Sequence, residues 1–178
     1  RIFGNSKKDA MIRLGGVAGI WGGILWTTTF WLDEFYATSN IWLVLLALWC
    51  LMACMMGMWF LERNTKITRF ALIVIGLGLV LLAGSFITGE WFGVDNAWFA
   101  LILGLLSQII ALIILGLANL KARIFPRLNW IPLTMGVLPL LTSLLLSSVS
   151  LWGLNWPVLM FALIFGAGWL TMGVLLLK

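Results

Sequence analysis

Six runs of apolar residues, at 11–30, 41–61, 70–88, 97–120, 131–150 and 157–177, make up most of the chain, with short polar connectors between them. Each is close to the roughly 17–25 residues that a helix rising 1.5 Å per residue needs to cross hydrocarbon. The pattern predicts an all-α membrane protein, a six-transmembrane-helix bundle forming one domain over residues 1–178.

The polar positions between the runs are asymmetric. Arg1, Lys7, Lys8 and Arg13 precede the first run; Arg63, Lys66 and Arg69 join the second to the third; Lys121, Arg123 and Arg127 join the fourth to the fifth; Lys178 follows the sixth. The other three connectors, 32–40, 89–96 and 151–156, hold no base and carry Asp33, Glu34, Glu90 and Asp95. Short basic loops stay cytoplasmic, so both termini are expected inside (N-in, C-in), with the acidic, Trp-rich connectors outside. Each of those connectors also reads Trp, then Asn, then Trp (Trp31, Asn40, Trp42; Trp91, Asn96, Trp98; Trp152, Asn155, Trp156). Three tandem helical hairpins would produce that repeat. So would the preference of Trp for membrane interfaces and of Asn for turns and helix starts.

Composition narrows the classes further. A mean hydropathy of +1.12, with 63% hydrophobic and 10% charged residues, leaves no room for a soluble domain. In a soluble protein a net charge of +5 would suggest a nucleic-acid partner; here the bases sit beside helix ends, where anionic headgroups meet them, so membrane lipids are expected as partners and nucleic acid is not. The first run is a full span in length with no small-x-small cleavage pattern directly after it, and is expected to be a retained helix. The chain has no His, and Cys50 and Cys54 both lie inside the second run. Without a mid-membrane carboxylate, a nucleophile elbow or a phosphate-binding glycine loop, no enzyme, no cofactor and no metal are expected. The spacing of Cys50, Cys54 and Met58 on one helix face admits soft-metal ligation as well as apolar packing.

Several residues are candidates for a role. Gly15, Gly19 and Gly23 recur every four residues, a ridge that lets another backbone approach closely; Gly166 and Gly173 offer a similar strip on the sixth run. Ser107 and Gln108 are the most polar pair at mid-depth. Lipid offers an amide no partner, so Gln108 is expected to face the bundle interior and bond to the fifth helix, where Pro139 frees the Met135 carbonyl and Thr142 and Ser143 lie one turn away. At the outer ends Asp33, Glu34, Glu90 and Asp95 lie beside Trp91, Trp98 and other aromatics, a candidate ligand mouth for an organic cation. An aromatic belt beside acids excluded from the basic side would have the same composition.

The stretches from Arg13 to Gly16, from Gly22 to Trp26, and from Leu120 to Trp130 resemble a widespread group of small, functionally uncharacterised bacterial six-span membrane proteins; Gly166 to Gly173, around Trp169, is similar to that group's last helix. The resemblance implies the bacterial cytoplasmic (inner) membrane and carries no activity with it. Size, span count and inside termini are also similar to substrate-binding subunits of energy-coupling-factor vitamin transporters, whose first helix docks through small residues. Two functions follow as expectations. One is a non-catalytic membrane subunit packing through its glycine ridges against other membrane protein subunits in a larger complex; the other is a small-molecule transporter or its ligand-binding membrane subunit.

Overall fold

The structure, a computed structural model, describes residues 3–36, 40–61, 65–94, 97–123, 128–146, 150–151 and 154–177; for residues 3–6, 90–91, 143–146, 150–151 and 154–157 it describes the backbone alone. Six helices are present among the described residues: α1 (Phe3–Tyr36), α2 (Ile41–Trp59), α3 (Lys66–Phe92), α4 (Ala97–Ala122), α5 (Ile131–Leu146) and α6 (Trp156–Leu176). Between α5 and α6, Ser150–Leu151 (β1) pairs antiparallel with Leu154–Asn155 (β2).

Local chemistry sets several of these boundaries. Asn40 caps α2 by accepting the Trp42 N–H at 3.2 Å, and Thr65 caps α3 by accepting the Thr68 N–H at 3.2 Å. Gly93 ends α3 at φ 59°, a left-handed conformation that costs glycine little. Pro157 sits in the first turn of α6, where its missing N–H goes unneeded.

Three spans depart from their expected limits. Helix α1 starts before residue 11 and continues past residue 30 to Tyr36, because nothing in Trp31-Leu32-Asp33-Glu34 breaks a helix, so Asp33 and Glu34 stand on the last turns of α1 instead of in a loop. Likewise α3 overruns residue 88 as far as the Gly93 cap and takes the backbone of Glu90 and Trp91 into the helix. The opposite holds for α5, which is helical over 16 residues and not to residue 150. Those 16 residues rise about 24 Å, short of a hydrocarbon core of about 30 Å. Ser150, the next described residue, already belongs to β1. Five helices are long and apolar enough to cross a membrane, over Lys7–Tyr36, Ile41–Trp59, Lys66–Gly89, Ala97–Ala122 and Val158–Leu176, whereas Ile131–Thr142 is a shorter apolar stretch. The chain is thus a multi-pass helical membrane protein.

Sequential helices lie side by side, and α6 returns to pack on α1, closing a ring. The most extensive contacts are α1 with α2, α1 with α6, and α3 with α4; α2 meets α3 along a thinner interface. Helix α5 divides its contacts between α4 and α6, so α5 and α6 do not form a self-contained third hairpin. The ring interior is filled by Trp26, Leu51, Ile75, Leu79, Leu112, Met135, Phe165 and Trp169, all buried. At the basic end, the Arg69 guanidinium lies 5.7 Å from the Trp59 ring centre, joining α3 to α2 by a cation–π contact.

Candidate functional site

The glycine strip of α1 is a backbone contact surface. A Cβ placed on Gly15 would lie 2.6 Å from the Gly57 Cα of α2; one on Gly19 would lie 2.6 Å from the Cys54 sulfur and 2.9 Å from the Gly173 Cα of α6. Gly23 faces the Gly166 carbonyl and the Leu170 N–H, and a Cβ placed on Gly173 would lie 2.6 Å from the Gly16 carbonyl. Thr27 adds a polar tie, its hydroxyl lying 3.0 Å from the Gly23 carbonyl and 3.4 Å from that of Ala162 on α6. The ridge, which the sequence alone leaves open to an internal helix or to another protein, is occupied by the chain's own helices on both flanks. Cys54 and Met58 belong to the same packing, buried against it, while Cys50 is half-buried.

Gln108 faces the interior, as an amide in hydrocarbon must, but its partner differs from the expected one. Its Nε2 donates to the Ile75 carbonyl of α3 at 2.7 Å, not to α5. Glycine again explains the choice: Gly78 and Gly104 lie opposite each other, a Cβ on Gly104 would come 3.0 Å from the Gly78 carbonyl, and this close approach carries Gln108 into the α3 backbone. The Oε1 of Gln108 is buried without a partner. Ser107 turns back on its own helix and donates to the Gly104 carbonyl at 2.8 Å, and Thr142 does the same to Pro139 at 3.1 Å. The four polar residues expected to gather at mid-depth are thus not brought together: Thr142 is not among the partners of Gln108, and the side chain of Ser143 lies outside the described residues.

Beyond the glycine strip, toward the acidic end, the ring opens into a chamber of about 460 Å³. Trp26 and Phe30 of α1, Leu82 and Phe86 of α3, Leu101, Leu105 and Ile109 of α4, and Val158 and Phe161 of α6 form its walls. All are apolar apart from the indole N–H of Trp26, which is itself buried and unpartnered. Ile102 and Leu106 also line the chamber and are 41% and 45% exposed, so it reaches the lipid-facing side of α4. A smaller recess of about 120 Å³ adjoins it, lined by Thr29, Phe30, Asp33, Asn40, Ile41, Val44 and Phe86. Phe30 and Phe86 are walls of both.

Of the expected ligand mouth, Asp33 lines a cavity, the smaller recess. Glu34 is half-buried on the neighbouring position; Trp98 is 51% exposed and stacks on Phe99 with ring centres 3.8 Å apart. The side chains of Glu90 and Trp91, and all of Asp95, lie outside the described residues.

Sequence reasoning passed over three residues. Phe30 and Phe86 read there as ordinary apolar positions; a signal existed in the spacing Trp26, Phe30, Asp33, which runs along one helix face and ends in an acid. Asn119 lies at the end of the fourth run, on the same face of α4 as Gln108 and Leu115, and is fully buried with neither its nitrogen nor its oxygen partnered. No family model matches the chain, and neither a curated protein nor a solved structure matches it.

Proposed function

We propose that this protein is a non-catalytic, six-span membrane protein of the bacterial cytoplasmic membrane, both termini inside, that holds a small apolar or amphiphilic molecule in its outward half. It would act as a ligand-binding membrane subunit or as the binding core of a small transporter. The observation that carries this reading is the 460 Å³ chamber, which falls within the roughly 300–1,000 Å³ of ordinary ligand pockets and is walled by side chains with almost no polar content. Deeper in the same bundle Leu112 and Ile75 are fully enclosed, and the space between α2 and α3 around Leu48 and Leu79 is smaller, about 250 Å³. Reading the chain as a subunit held to a partner by its glycine strip has less support, since α2 and α6 occupy that strip.

The test is the content of the chamber. Protein released from nanodiscs into a native mass spectrometer is expected to carry a bound lipophilic species, and Leu105→Trp, which fills the chamber, to lose it while keeping the parent's elution profile. Equal loading of parent and variant would sink the reading. Orientation is tested separately: Val94→Cys should react with an impermeant thiol reagent in intact cells, and labelling only after lysis would reverse it.

A further inference from the structure

Two spaces, one apolar in its walls and one with a carboxylate among them, share a pair of aromatic residues, Phe30 and Phe86. Helix α1 presents Trp26, Phe30 and Asp33 at i, i+4 and i+7, a single stripe rising about 10 Å, with Trp26 in the chamber, Asp33 in the recess and Phe30 in both. Helix α3 repeats the arrangement one turn shorter, Leu82 in the chamber and Phe86 in both. We infer that chamber and recess form one elongated site for a single-chain amphiphile with a cationic head: the tail lies against Trp26, Leu105, Ile109 and Phe161, and the head sits at Asp33. This rests on the reading of the chamber as a ligand site and adds to it the class of ligand.

The polar groups among the described residues of the recess are Thr29, Asp33 and Asn40, and Asp33 carries their one charge. Asp33 supplies a carboxylate. Thr29 commits its hydroxyl proton to the Leu25 carbonyl at 2.8 Å, so what it offers the recess is an oxygen lone pair. The side-chain oxygen of Asn40 already accepts from the Trp42 N–H. Among the described residues no lysine or arginine lines either space, and the three acidic connectors of the sequence hold no base that could offset Asp33 for an anionic head. A phosphate or carboxylate head would face like charge there, whereas an ammonium gains an ion pair and, at the junction, aromatic walls able to offer cation–π attraction. A recess of about 120 Å³ suits a compact head. An alkylammonium keeps its charge at neutral pH for the same reason that an exposed lysine does.

Photocrosslinking in nanodiscs separates head from tail. Two probes share one dodecyl chain with a diazirine at its end, one carrying a trimethylammonium head and the other a hydroxyl; crosslinks are mapped by peptide sequencing. With the parent protein, the ammonium probe is expected to label the chamber residues on α1, α4 and α6, and excess dodecyltrimethylammonium to compete the label away. Asp33→Asn, at an exposed position where folding is not at risk, should weaken competition about threefold to tenfold for the ammonium probe and leave the alcohol unchanged. If both probes label the chamber alike and Asp33→Asn alters neither, the head assignment is wrong while the chamber remains a ligand site. If neither probe labels the chamber, and the labels spread over the lipid-facing surfaces of α2 and α3 instead, both readings fall.

Discussion

Two stretches of the same helix meet their neighbours in opposite ways. From Gly15 to Gly23, α1 has no side chain to offer and α2 and α6 come within backbone contact; from Trp26 to Asp33 it carries large groups, and between it and α3 and α4 a chamber of about 460 Å³ is left. The difference lies in what carries the helix–helix attraction. Lipid tails are as apolar as leucine, so burying leucine gains little in a membrane, and dispersion between closely fitted backbones carries more of the load. Where glycine allows that fit, the helix positions are fixed. Where bulky side chains prevent it, as between Trp26 and Leu105, space can remain without the penalty that an apolar void incurs in water, because hydrocarbon can enter it.

That contrast can be broken most severely at the strip. Gly15→Leu should cost about 3 kcal/mol or more, since the new side chain meets the Gly57 backbone and not a movable group, and thermal unfolding in detergent should register it as loss of the folded species. Next come two enlargements about two turns apart on α4. Leu112→Trp, at a fully buried position in the filled ring, is expected to cost about 1–3 kcal/mol, whereas Leu105→Trp, at the chamber wall, should shift stability by less than about 1 kcal/mol; equal losses would mean that the chamber is not a space the protein can fill. Gln108→Leu should cost about 0.6–2 kcal/mol, the range of a single interhelical bond, and a double-mutant cycle with Gly78→Ala should show coupling because both bear on the same α3–α4 contact. The sign reverses at Asn119, where Leu should raise stability by about 1 kcal/mol by removing an amide that has no partner. The smallest effect is expected at Gly84, where a Cβ would meet nothing within 4 Å: Gly84→Ala should be neutral or stabilising by up to about 1 kcal/mol, and destabilisation there would undercut the distinction between glycines in contact and glycines in the open.

What was legible in the chain is what one helix decides alone. The starts of α2 and α4 at residues 41 and 97 coincide with the apolar runs, and the burial of Gln108 follows from the lack of any partner for an amide in lipid. Pairing between helices was not legible, because periodicity marks a face without saying what it faces. Gln108 is the plain case: Gly78, the residue that brings α3 to it, carries no signature within its own run that distinguishes it from Gly76 or Gly84. Gly57 hid in the same manner inside the Cys and Met stretch of α2, although it is the direct counterpart of Gly15. The chamber was unreadable for a further reason. It is made by residues of four helices that are individually ordinary, and only the acid at Asp33, seven residues beyond Trp26, hinted at a polar end to an apolar stripe.

The facing of Gly15 by Gly57 constrains how this sequence can drift. At most crowded sites a harmful enlargement can be rescued by trimming the residue across from it; a larger group at Gly168, for instance, would first meet the side chain of Met135, which leaves open a suppressor there. At Gly15 that route is closed, since the opposite residue is already the smallest there is. A genetic selection for revertants should therefore recover second-site suppressors for Gly168→Ala at position 135, and for Gly15→Ala only true reversion or changes that move α2 as a whole.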